Sequence, residues 1–199
     1  MKQPNYSIIP LAECSNEEIA FLNAISDRIN LVLGVQGINL ELIMGCANDY
    51  LGEHNISKKT IGINQKLYDD VLSLRNYNKS DSKQVGLYFA SYAKLVGTIA
   101  HETMHYFQSI NSNEKIEEDF EREMDFANDL ITYEEYVNLD IELEARAFEA
   151  IVQEFLINRS FPLPESIDKE EYNKKYEELK DKYLPLLTLH MSELKMIKE

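Results

Sequence analysis

Basic residues are scarce in this chain. Lysine plus arginine number 20 against 35 aspartates and glutamates, a formal net charge of −15 over 199 residues. Nucleic-acid binding through phosphate contacts needs a basic surface, so no nucleic-acid partner is expected. The acidic excess reads as solubility, with a cationic partner as the alternative. Cysteine is nearly absent. Cys14 and Cys46 do not make a disulfide framework, and neither stands at ligand-like spacing from a histidine pair, so both are read as buried free thiols. Residues Met1 to Asn5 lack the apolar stretch of a signal peptide. No apolar run approaches the roughly 18 residues needed to span a bilayer. The expectation is a soluble, cytoplasmic protein with no membrane partner. The sequence carries no signal for oligomeric state. An apolar fraction of 44% supplies a core, and the length suits one domain or one domain with a helical appendage.

Internal repeats and low-complexity segments are also lacking. Ser15-Asn16-Glu17-Glu18 has the form of a capping box. It opens a helix with Ile19, Leu22, Ile25, Ile29 and Val32 on one side, ended by Gly34 and Gly37. Residues 38–44 fit a strand or a short helix, and residues 45–59 read as a polar loop. Thr60 to Asn64 alternates and is β-branched, which predicts a short strand. Residues 67–74 read as helical and 76–83 as a polar loop. The strongest helix runs from Leu87 to Ile110, with Tyr88, Tyr92, Leu95, Ile99, Thr103, Phe107 and Ile110 at helical spacing. An acidic stretch, 113–129, reads as a solvated helix face, with a lid favouring basic substrates as the alternative. Thr132-Tyr133-Glu134-Glu135 is a second capping box. Ile141 to Asn158 is a second strong helix. Asp168 caps a charged helix to about Tyr183, and Pro185 separates a last short helix.

Inside the strongest helix stands His101-Glu102-Thr103-Met104-His105, an H-E-x-x-H motif. Residues four apart lie on one helical face, so each imidazole offers one nitrogen to a single Zn2+. The glutamate after the first histidine reaches the water of such a site as general base. His101 and His105 lie off the apolar seam, on a neighbouring face that suits the floor of a cleft. Gly97, one turn earlier, leaves space for substrate or allows close helix packing. A catalytic zinc takes three protein ligands, and the third must come from elsewhere. The extended motif with a third histidine is absent, because Gln108 and Asn111 occupy its glycine and histidine positions. Glu142 and Glu144, which open the second strong helix, are the candidates.

The segments 99–108 and 136–149 resemble the two signature helices of small bacterial and phage gluzincin-type metallopeptidases, of which the ImmA/IrrE-like group is the best-known relative. In that group the second helix reads approximately E-x-x-A-x-x-F, and its first glutamate is the zinc ligand. The resemblance makes Glu142 the third ligand, packed by Ala145 and Phe148, with Glu144 as runner-up. It covers two short helices. Residues 1–60 and 165–199 match nothing in the group. Where the group often carries Asn or Asp four positions after the ligand, this chain has Arg146, so no acid that would orient a histidine is evident.

The resemblance implies an α+β, mostly helical fold, with a zincin-like core at 1–160 and a C-terminal helical extension at 161–199. It implies a short sheet over the H-E-x-x-H helix, with Thr60 to Asn64 as an edge strand that pairs with an extended peptide substrate. It also implies one Zn2+ per chain held by His101, His105 and Glu142, with Glu102 as general base in hydrolysis of a peptide bond in a specific protein substrate. Tyr136, Tyr133, His54 and His190 are candidate donors to the developing oxyanion, although ordinary surface or core roles are the default for both histidines. Gln108 is placed to hydrogen-bond within the site or to lie at the surface. Two rival readings remain: a catalytically silent protein of the same fold that acts as a regulatory binding partner, and a zinc hydrolase of non-peptide amides.

Overall fold

The two segments with the strongest helical periodicity pack against each other at the centre of the protein. The computed structural model describes residues 7–10, 15–44, 51–75 and 78–196; Cys14 and Cys46 lie outside them. In chain order the elements are β1 (Ser7–Pro10), α1 (Asn16–Leu33), β2 (Asn39–Met44), β3 (Gly52–Asn55), β4 (Thr60–Asn64), α2 (Gln65–Leu74), α3 (Ser82–Ile110), α4 (Glu114–Ala127), α5 (Tyr133–Val137), α6 (Asp140–Ile157) and α7 (Lys169–Met191). The class is α+β and mostly helical. Among the described residues no helix is long and apolar enough to cross a membrane.

Local chemistry sets most of the boundaries. Gly34 adopts φ +70°, and the Val35 N–H closes the end of α1 on the Asn30 carbonyl at 3.0 Å. α3 begins five residues before the expected Leu87, because the Asp81 carboxylate accepts from the N–H groups of Lys83 and Gln84. The Thr132–Glu135 capping box forms in both directions and starts α5. α6 has no side-chain cap of its own at Leu139. The Asp119 carboxylate of α4 lies near the Asp140 and Ile141 backbone N–H groups at this end; burial raises its pKa and those N–H groups partly offset the rise. Asn158 ends α6 in the left-handed region at φ 57°.

Three expectations are corrected. The sheet order is β1-β2-β4-β3, so Thr60 to Asn64 is an interior strand, parallel to β2 on one side and antiparallel to β3 on the other. All five of its residues are buried, which an edge strand would not require. The segment 45–59 is not all loop, because β3 lies within it and forms the sheet edge. The ambiguous stretch 38–44 is the strand β2. Pro185 does not split the last helix: α7 continues through it to Met191, with Tyr183 and Leu187 buried on either side holding the turn in place.

The main core joins α1 (Leu22, Ile25, Ile29) and the strands (Leu42, Ile61, Ile63) to α3, α6 and the last turns of α7 (Tyr183, Leu187, Met191). Phe148 is fully buried, edge-on to Tyr183 at 5.0 Å between ring centroids, and so locks α6 to α7. Phe148→Ala removes that contact and leaves a cavity, and will lower unfolding stability by about 3–5 kcal/mol in urea titrations.

Candidate metal centre

α3 presents His101 and His105 one turn apart, and the first turn of α6 brings Glu142 to them. Glu142 is fully buried. His101 Nε2 and His105 Nε2 lie 3.1 Å apart. Glu142 Oε1 is 3.1 Å from His105 Nε2 and 3.8 Å from His101 Nε2. Of the acidic and imidazole groups described, this is the one trio close enough to share an ion. Ligands at ~2.0–2.1 Å in a tetrahedron stand ~3.3–3.4 Å from one another, and the three separations bracket that edge.

The outer partners fix which ring nitrogens hold lone pairs. Gln108 Nε2 donates to the Ile141 carbonyl at 3.1 Å and to Glu144 Oε2 at 3.0 Å, and both partners can only accept. Gln108 Oε1 therefore faces His105 Nδ1, 3.1 Å away, and that nitrogen must donate. His105 Nε2 is left with its lone pair toward the cluster. His101 Nδ1 faces the Glu149 carboxylate at 3.3 Å, an ion-pair contact that favours the same tautomer. Two imidazole lone pairs directed at each other across 3.1 Å, with a buried carboxylate oxygen as the third corner, repel unless a proton on one ring or a metal cation lies between them.

The surrounding carboxylates make the cluster a place that holds positive charge, either a proton on His101 or a bound cation. Burial alone would lower the pKa of His101, but the Glu142 and Glu149 carboxylates push it up to about 10. Burial works against ionising Glu142, yet His101 and His105 hold it well below the usual carboxylate range. Glu102 is buried as well, and His54 and the two motif histidines keep it anionic. The two imidazoles and one carboxylate could together hold a metal ion, and the surrounding carboxylates favour a cation there.

Glu144 is not part of the trio. It bonds Gln108 and Lys175, 3.2 Å from the ammonium, and so supports His105 from behind. Lys175 also reaches Asp140 at 3.7 Å, and Lys115 of α4 pairs with the same carboxylate. Gly97 serves packing: a Cβ there would stand 2.5 Å from Gln153 Nε2. That amide donates to Glu149 Oε1 at 2.8 Å, so the close approach of α3 and α6 also holds the carboxylate behind His101.

Several residues gain roles that the motif did not announce. Glu149 supplies the orienting acid that Arg146 had displaced from its usual position; it lies seven residues after Glu142, on the same helical face. Arg146 Nη2 lies 3.1 Å from Glu142 Oε2, an ion pair one turn along the helix. Tyr136 donates its hydroxyl to Glu142 Oε1 at 2.5 Å, and burial beside that carboxylate raises its pKa well above 10, so it stays a donor. His54, from β3, stacks on His105 at 4.9 Å, and its Nδ1 is 3.6 Å from Glu102 Oε2. Phe120 of α4 closes over both rings, at 5.8 Å from His54 and 6.5 Å from His105. The acidic helix thus covers one side of the cluster. Tyr133 lines the cleft, whereas His190 sits near the end of α7, where its carbonyl accepts from Arg28 at 3.2 Å.

The open side is a cleft of about 410 Å3 whose walls include Gly52, His101, Glu102, Tyr136, Arg146 and Glu149. Gly52 makes this approach possible, since a Cβ there would lie 3.0 Å from Glu102 Cγ, Thr98 Cγ2 and the Gly62 carbonyl. Tyr136→Phe removes the hydroxyl that steadies Glu142; where the trio holds a metal ion, the expected effect is about 10–100-fold weaker metal binding in competition titrations with a chelator.

No family model matches the chain, and neither a curated protein nor a solved structure is similar to it.

Proposed function

We propose that this protein is a zinc-dependent metallopeptidase of the gluzincin type, built on a zincin-like core, that hydrolyses a peptide bond in a specific protein substrate. The observation that carries this reading is the convergence of His101 Nε2, His105 Nε2 and Glu142 Oε1, with the Glu102 carboxylate beside it in an open cleft. When bound by these three residues, zinc supplies Lewis acidity toward a carbonyl oxygen and lowers the pKa of water toward ~7.

The chain's own residues do the rest. Glu102, held anionic, takes the proton from the attacking water and delivers it to the leaving amine. His54 holds the Glu102 carboxylate from the closed side, so that the carboxylate faces the cleft in one orientation. Tyr136 and Arg146, the first a hydroxyl donor and the second a cation, stand on the cleft wall beside Glu142, where negative charge develops on the substrate oxygen. Gln108, Glu149 and Arg146 fix the three ligand side chains before any substrate arrives. An extended substrate chain would run through this cleft past Gly52.

The test is metal analysis of protein purified without an affinity tag, followed by incubation of the zinc-loaded protein with a proteome-derived peptide mixture. About one zinc per chain and new peptide termini that vanish with chelator are expected. A protein that takes up no zinc refutes the reading. One zinc per chain with no new termini, in that mixture or in intact protein extracts, favours a regulatory binding protein.

A further inference from the structure

Three aromatic rings on one wall of the cleft belong to neither hydrophobic core. Phe126, from the last turn of α4, stacks on Tyr136 at 4.3 Å with 9° between the ring planes. Tyr133 leans on both, at 6.2 Å from Phe126 and 6.4 Å from Tyr136. None of the three packs into the main core or into the smaller cluster under α7. All three line the cleft, and Tyr133 is 51% exposed. Beside them, at the corner between α4 and α5, Met124 and Leu130 stand out at 62% and 70% exposure. An apolar wall that is left wet in an acidic protein, and kept out of the core, has its use at an interface.

Its position says what it meets. Tyr136 belongs to the wall through its ring and to the metal centre through its hydroxyl on Glu142 Oε1. The wall is therefore one side-chain length from the place where a scissile carbonyl would sit. Leu51 and, at the start of β3, Gly52 line the same cleft. An extended peptide in the cleft directs alternate side chains to opposite faces, and one of these faces the rings.

We infer that Phe126, Tyr133 and Tyr136 form a subsite for a bulky apolar side chain adjacent to the cleaved bond, so that the substrate is a protein segment with an aromatic or large aliphatic residue there. This rests on the proposed peptidase reading and names the substrate class of that same site. The cleft volume lies in the ~300–1,000 Å3 range that takes groups of this size. The other charged or imidazole side chains on the cleft walls (His101, Glu102, Arg146 and Glu149) are committed to the metal cluster or to its support, which leaves the rings as the surface free to select.

The experiment uses two peptide hydroxamates of equal length that differ only in carrying phenylalanine or alanine beside the chelating group. Their binding to the zinc-loaded protein is measured by calorimetry. The parent peptides without the chelating group are followed by NMR on protein without added metal. Wild type is expected to bind the phenylalanine compound roughly tenfold or more tighter, from burial of the additional ring. Tyr133→Ala, an exposed position at which folding should be kept, reduces that preference to about threefold or less with unchanged zinc content. Phe126→Leu, which keeps an apolar side chain but loses the stacked ring, reduces it in the same direction. Equal affinity for the two hydroxamates, or a preference that both variants leave untouched, overturns the subsite. Failure to take up zinc refutes the peptidase reading instead. The subsite then stands or falls on whether the parent peptides show the same preference.

Discussion

On the proposed peptidase reading, Glu102→Gln is expected to suppress hydrolysis strongly and to leave metal binding intact. The expected loss in rate is about 10²–10⁴-fold, the usual worth of a positioned general base. Glu102 is buried and anionic, and its carboxylate is not among the three that converge. Glutamine has nearly the same shape and still offers an oxygen to His54, so neither fold nor zinc content should change. What it lacks is the capacity to take a proton. The assay is release of new termini from the peptide mixture, with zinc measured on the same samples. Cleavage by the variant at wild-type rate would remove Glu102 from the reaction. Loss of zinc along with cleavage would mean that Glu102 helps to hold the ion and would move the search for the base to His54, its nearest titratable partner at 3.6 Å.

The parts of this site that could be read from sequence are those with a period. His101 and His105 share a helical face at spacing four, and the apolar seam of α3 is independent of whatever it holds. The second helix was legible for the same reason, because Ile141, Ala145, Phe148, Val152 and Phe155 mark its inner face. Glu149 also carries a periodic signal. Glu142, Arg146 and Glu149 form a ridge at spacings of four and seven, so an acid beside the ligand was available once position 146 failed to supply one.

His54 had no such signal. It sits in a polar stretch that reads as loop, and only the pairing of β3 with β4, His54 opposite Ile61, carries it over Glu102. Its neighbour Gly52 is required by a contact with α3 more than 40 residues away, which local sequence does not express. The edge-strand expectation failed on similar grounds: Thr60 to Asn64 has strand chemistry, but which strand lies outermost depends on the parallel β2–β4 pairing. Pro185 misled because the packing of Tyr183 and Leu187 outweighs one missing backbone hydrogen bond. Helical phase alone puts Gln108 near the site, but its decisive bonds run to Ile141 and Glu144 on α6.

Glu142→Gln tests the metal centre most directly, because the two candidate ligands from α6 part company there. Glu142 Oε1 faces both imidazoles, whereas Glu144 faces Gln108 and Lys175. Tight zinc sites bind with ~10–16 kcal/mol shared over about four ligands, so one charged ligand is worth about 3 kcal/mol, or roughly 10²–10³-fold in affinity. The Glu142→Gln protein should lose zinc on dialysis against a chelator that leaves wild type loaded, and Glu144→Gln should keep it. Glutamine keeps the shape and can still accept from Tyr136, but it no longer neutralises Arg146, whose half-buried guanidinium loses its 3.1 Å partner. Part of the change will therefore register as lower stability. Adding Arg146→Met to Glu142→Gln should restore much of that stability while zinc stays lost. If zinc instead survives in Glu142→Gln and disappears in Glu144→Gln, the trio described here is not the metal site, and the inner face of α6 binds through its second glutamate.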